Sequence, residues 1–232
     1  MNVAFYATRI QAQVMSQHRH IEDAYERFSD AVMFWCMIDL VDSSNFRLVY
    51  GPKEGYVRAE TFFSLIRAVI NPSSEIRLLK EIGDAVLLAA PTFRPLFESV
   101  VLIDKVAKQL DFIANTEYYP FAVRCGIAFG PSKRLMGRNE DFVSSSLDQL
   151  ARIMGIRSSK SNFFVHEDAF KQFEPMAREY GAFLRFSGPS MLPVEKARNM
   201  LKEIYYREMD IDQKALGAFK ECFVPWRNQK VK

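Results

Sequence analysis

Apolar and polar positions follow two periods along this chain, and the changes of period mark out its elements. Ala31 to Asp39 holds the apolar run Phe34-Trp35-Cys36-Met37-Ile38, as a strand buried on both faces does, and a small polar turn follows it. In Glu75–Ala90 two strand-like runs meet at Glu81-Ile82-Gly83-Asp84, where Gly83 has the backbone freedom of a tight hairpin turn. Phe121 to Phe129 alternates, with Val123, Cys125, Ile127 and Phe129 on one face and Ala122, Arg124, Gly126 and Ala128 on the other. Shorter strands are predicted at Phe163–His166 and Phe183–Phe186.

Helical spacing appears over residues 4–28 (Ile10, Val14, Ile21, Tyr25), 59–70, 93–114, 144–156, 167–173 and 194–209. The stretch from Asn45 to Tyr56, with Gly51, Pro52 and Gly55, reads as an irregular insertion. This order predicts an α+β fold, a sheet with helices covering one face. Three segments are expected: an amphipathic helix over 1–30, a central domain over 31–190, and a helix with a basic tail over 191–232.

The composition narrows the classes. A chain of 232 residues that is 49% hydrophobic and 13% aromatic has ample material for a core. A net charge of +3 gives no ground for a nucleic-acid partner. Cys36, Cys125 and Cys222 are odd in number and fit no zinc spacing, which suggests reduced thiols. No apolar run approaches the roughly 20 residues of a membrane span, and no secretion-signal pattern opens the chain. A cytoplasmic protein without membrane contact is the expectation. His18 and His20, two apart on the first helix, face different ways and read as solvated side chains.

The candidate chemistry lies in two acidic turns, Asp39 at the end of the first strand and Asp84 in the hairpin. Two carboxylates on adjacent strand ends can share a divalent cation, which prefers hard oxygen ligands.

These motifs, in this order, resemble class III nucleotidyl cyclases over about residues 31–188. Asp39-Leu40-Val41-Asp42-Ser43-Ser44 matches the family's first acidic turn, and Lys80-Glu81-Ile82-Gly83-Asp84 its hairpin. Arg124-Cys125-Gly126-Ile127 with Gly130-Pro131 matches a third motif, and Asp141, Leu147, Asp148 and Arg152 approximate a fourth. The resemblance implies a ferredoxin-like, antiparallel-rich sheet. It also implies two Mg²⁺ or Mn²⁺ ions held by Asp39, Asp84 and the Leu40 backbone. Ser43 and Ser44 would cradle phosphates, Arg152 with Asp148 would act in catalysis, and Lys80 with Asp141 would read the base. Arg185 is a further triphosphate candidate. A homodimer with composite sites follows, Asp39 and Asp84 of one copy facing Asp148 and Arg152 of the other.

Departures from the pattern bear on the substrate. The family's Gly is Asp42 here, its Asn is Asp148, and the Gly of the fourth motif is Ser144. Hydrogen-bond logic at Lys80 and Asp141 leaves ATP, CTP and UTP open. The compact form, these departures and Tyr50 (or Phe46) as a ring narrowing the base pocket look like the bacterial pyrimidine cyclases of Pycsar antiphage defence. That resemblance implies a uridylate cyclase making cyclic UMP for a separate effector. An adenylate cyclase is the runner-up. A cyclase-like module that binds nucleotide without chemistry is the remaining alternative.

Overall fold

The computed structural model describes Gln11 and residues 31–70, 75–110, 119–134, 142–156, 162–177, 180–181, 184–193 and 203–212. The expected helix over 4–28, Gln11 apart, and the basic tail lie outside these residues, as do Asp141 and Cys222.

A nine-stranded, mostly antiparallel sheet organises the chain, in the order β2-β3-β1-β4-β6-β9-β7, with β5 paired to β4 and β8 to β9. The strands are β1 (Ala31–Leu40), β2 (Arg77–Ile82), β3 (Ala85–Ala90), β4 (Val123–Arg134), β5 (Phe142–Val143), β6 (Phe163–His166), β7 (Leu184–Phe186), β8 (Ser190–Met191) and β9 (Tyr205–Ile211). Among the described strands, only β4 and β6 pair in parallel. The helices are α1 (Ser43–Tyr50), α2 (Pro52–Ile70), α3 (Phe93–Gln109), α4 (Ser145–Met154) and α5 (Glu167–Ala177).

The alternation of β1 decides the layers. Phe34, Cys36, Ile38 and Leu40 turn to the main core, where they meet Phe62 and Ile66 of α2, Leu96 and Val100 of α3, and Phe173 of α5. Trp35 points the other way, into a smaller cluster with Ala89, Ala128, and Leu150 and Met154 of α4. The helical layer on one face is therefore as expected, and among the described helices α4 packs against the other. Gly126 makes that approach possible: a Cβ there would stand 2.7 Å from Leu150 Cδ1 and 2.9 Å from Met154 Sδ. Cys36 and Cys125 are free thiols buried in the core, their sulfurs 3.4 Å apart.

Two sequence expectations are corrected. The supposed insertion over 45–56 is helical: Gly51, at φ 95°, ends α1, and Pro52 opens α2. Proline suits a first helical position because its missing N–H has no partner there to lose. The closing helix over 194–209 is also corrected at its end, where Tyr205–Ile211 is a strand paired with β6, β7 and β8.

Candidate active site

The end of β1 is where the sheet brings its polar groups together. In register, Asp39 stands between Ala85 of β3 and Arg124 of β4, so Asp84 is one residue beyond its neighbour. The hairpin turn is two residues, Gly83 at φ 64° and Asp84, with positive φ only at the first, the pattern of a II′ turn. Nothing lies within 4 Å of a Cβ at Gly83, so the glycine is there for its backbone freedom. The Leu40 N–H donates to the Asp84 carbonyl at 3.2 Å and ties the hairpin to the strand end.

Beyond Leu40 the chain turns sharply. The Val41 N–H donates to Ala122 O at 2.9 Å, and Asp42 takes a left-handed conformation (φ 53°, ψ 25°) before α1 begins. Asp42 is the one non-glycine residue at positive φ among the described residues. Its side chain makes no capping bond, while its carbonyl accepts from the Phe46 N–H at 2.9 Å. The turn is thus left-handed at an L-residue, at the cost such a residue bears there. From behind, the buried Arg58 braces it. Its guanidinium donates to Tyr119 O (3.1 Å), Pro120 O (2.8 Å) and Val41 O (3.4 Å), and sits 4.4 Å from the centre of the Phe46 ring.

The pocket in front of this turn has a volume of about 420 Å³ and is lined by residues 39–45, Asp84 and Arg124, with Ile156, Asn162 and Phe164 completing it. Ser43, Ser44 and Asn45 form the first turn of α1, whose N–H groups have no preceding helical carbonyl to meet. They face an anion-ready space.

Arg124 donates to Asp39 through Nη2 at 2.5 Å, with both side chains partly exposed. Burial pushes the Asp39 carboxyl above its usual range; the Arg124 hydrogen bond opposes this, and the charge of Asp84 adds to the rise. Among the described residues no group of three or more His, Cys, Asp or Glu is arranged to hold a metal ion by itself. Two carboxylates and a backbone turn are nonetheless a fitting donor set for a Mg²⁺-like ion, which takes one or two carboxylates and completes its shell with water and substrate phosphates.

The other expected site residues are placed elsewhere in the same chain. Lys80 is exposed on the edge strand β2, next to a register shift. Asp148 is exposed on the first turn of α4, and Arg152 is half-buried one turn later. Arg185 is exposed on β7, the far edge of the sheet. None of the four lines the pocket. Tyr50 and Phe46, the rings expected to narrow the base pocket, are not among the residues lining this pocket. Phe46 is buried, the two rings pack 4.8 Å apart, and Tyr119 meets both at about 6 Å. Arg124, Asn162 and Phe164 line the site without having been singled out. Arg124 was legible as the one cation in the alternating stretch from Phe121 to Phe129, directly opposite Asp39 once the strands are paired.

No protein-family profile and no curated protein matches the sequence. Solved structures do. The adenylyl cyclase CyaB from P. aeruginosa is similar at a TM-score of 0.64 and 10% identity, over 82% of this chain and 100% of that one. The guanylate cyclase domain of RhGC from Catenaria anguillulae, solved in complex with GTP, is similar at 0.57 and 11%, over 80% and 100%. A non-canonical dimeric guanylyl cyclase domain of the RhoGC fusion protein from Blastocladiella emersonii is similar at 0.57 and 13%, over 79% and 98%. The chain has the class III nucleotidyl cyclase fold.

Proposed function

We propose that the protein is a divalent-cation-dependent nucleotidyl cyclase. It closes a nucleoside triphosphate, UTP in the finer reading, to the 3′,5′-cyclic monophosphate and diphosphate. The observation that carries this is the convergence of Asp39, Asp84 and the first turn of α1 on one pocket, in a cyclase fold. Bound cations supply activation of the ribose 3′-hydroxyl and neutralisation of the triphosphate. Asp39 and Asp84 hold them, and the N–H groups of Ser43 and Ser44 donate to phosphate oxygens.

The chain supplies Asp148 and Arg152 on α4, away from its own pocket. That separation supports a homodimer in which α4 of each copy faces the pocket of the other. Arg152, permanently charged and multidentate, then stabilises the charge that builds on the phosphate.

For the base, Lys80 and Asp141 offer a donor and an acceptor that suit uracil, and the Asp42 and Asp148 departures support the pyrimidine reading. Cyclic UMP would then signal to a separate effector in antiphage defence. The adenylyl cyclase neighbours support ATP equally, since adenine meets the same donor and acceptor. The test is to offer all four ribonucleoside triphosphates with Mn²⁺ and identify the product by mass. Dominant cyclic AMP contradicts the UTP reading and keeps the cyclase; no cyclic product from any of the four contradicts both.

A further inference from the structure

Arg124 and Asp39 are directly opposed on β4 and β1, and their contact is a single hydrogen bond from Nη2 to Oδ2 at 2.5 Å. The remaining fork of this guanidinium is underused: its Nε is buried without a hydrogen-bond partner among the described residues. A buried donor left unpaired is unusual and marks an arrangement that is not the only one the side chain serves. Both side chains open onto the cavity that also holds Asp84, with exposures of 26% for Arg124 and 18% for Asp39. A cation drawn to Asp39 and Asp84 therefore meets a guanidinium already bonded to one of the oxygens it needs.

We propose that in the nucleotide-free protein the Arg124 guanidinium occupies the place at Asp39 Oδ2 that a divalent cation takes, so that the cation enters by displacing it. This rests on the reading of Asp39 and Asp84 as the cation site. The physical reason is charge. Arg124 is a cation hydrogen-bonded to Asp39 at the cavity that Asp84 also lines. Metal and guanidinium would offer the same compensation at Oδ2 and compete for that oxygen. Cation affinity is then set low by the protein's own side chain, and anything that gives Arg124 another anionic partner raises it. By reciprocity, a bound cation leaves Arg124 available for that partner.

The experiment measures Mn²⁺ binding to the full chain by electron paramagnetic resonance and calorimetry, with no nucleotide present. Wild type is compared with Arg124→Gln, Arg124→Lys and Asp84→Asn. The expected result is roughly tenfold tighter binding in Arg124→Gln, the scale of one charge-assisted hydrogen bond. Arg124→Lys keeps the charge and guards against a folding failure of the Gln variant. Its shorter, compact ammonium holds Oδ2 less well, so it should bind Mn²⁺ more tightly than wild type and show a larger Mn²⁺-induced rise in melting temperature. The gain should persist in about 1 M salt, where a through-space field is screened within about 3 Å; a gain that vanishes there overturns direct competition. Equal affinity in wild type and both Arg124 variants, with binding lost in Asp84→Asn, overturns the proposal and leaves the cyclase reading standing. Absence of Mn²⁺ binding in every protein, with or without nucleotide, overturns the cyclase reading instead.

Discussion

Asp39 and Asp84 meet at one pocket because Asp39 pairs across the sheet with Ala85, the residue after Asp84 in a two-residue turn. The bond from the Leu40 N–H to the Asp84 carbonyl holds the hairpin in that relation. Two carboxylates thus approach from a strand end and a hairpin turn, and Arg124 is hydrogen-bonded to one of them.

Removing either carboxylate should separate function from stability. Asp39→Asn and Asp84→Asn are expected to lower turnover by more than roughly a hundredfold, a loss that even an outer-shell partner of a metal can produce. The net rise of the Asp39 carboxyl pKa means that its ionised form is disfavoured in the fold. A neutral isostere therefore should not lower the melting temperature at neutral pH. Retained turnover with Asn at either position would end the two-carboxylate account.

The same direction fixes a pH dependence. Folded Asp39 binds a proton more readily than the unfolded chain does, so its ionisation costs stability above the folded pKa, and the cost disappears below the ordinary value of 3.8. A cation has to displace that proton. Mn²⁺ affinity should fall on acidification with a midpoint above 3.8, and Asp39→Asn should lose that dependence. Calorimetry in buffers of different ionisation enthalpy checks this through the proton released on binding.

Asp42 gives a prediction of the opposite kind. Its left-handed backbone costs about 1–2 kcal/mol for an L-residue, somewhat less for Asp, while glycine costs about 0.5–1 kcal/mol in chain entropy. Asp42→Gly should therefore be neutral to stabilising by up to about 1 kcal/mol, and it removes a negative charge beside the phosphate turn, lowering the KM for nucleotide. Asp42→Ala should destabilise, by about 1 kcal/mol. Chemical denaturation of the two variants should move in different directions; equal destabilisation would contradict the strained turn.

The composite site is tested by mixing. Asp39→Ala and Arg152→Ala proteins, each inactive alone, should recover activity together once subunits exchange, because a mixed dimer contains one intact site. Failure to complement after verified exchange contradicts a shared site.

Much of this arrangement was legible in the residues. Local pattern marked both acidic turns, since a buried apolar run ending in Asp39 and a Gly-Asp turn between strand-like runs depend on near neighbours. What escaped depends on distance along the chain. Gly51-Pro52 was read as loop punctuation, whereas together they end one helix and begin the next. Tyr206 and Met209 are three apart and mimic a helical stripe, but pairing with His166 and Phe163 of β6 draws them into a strand. Tyr50 packs against Tyr119, a contact that no local pattern announces because the two lie far apart in sequence. Arg124 gained its meaning only from the β1–β4 register.

The central claim is that this pocket cyclises a nucleotide through two carboxylate-held cations. Its most direct measurement is the mass of the product when wild type and Asp84→Asn are each incubated with UTP and Mn²⁺. The account predicts cyclic UMP with equimolar diphosphate from wild type, abolished by chelation and by Asp84→Asn. Cyclic product formed equally by the variant, or UTP returned unchanged by wild type and every other triphosphate likewise, would contradict it.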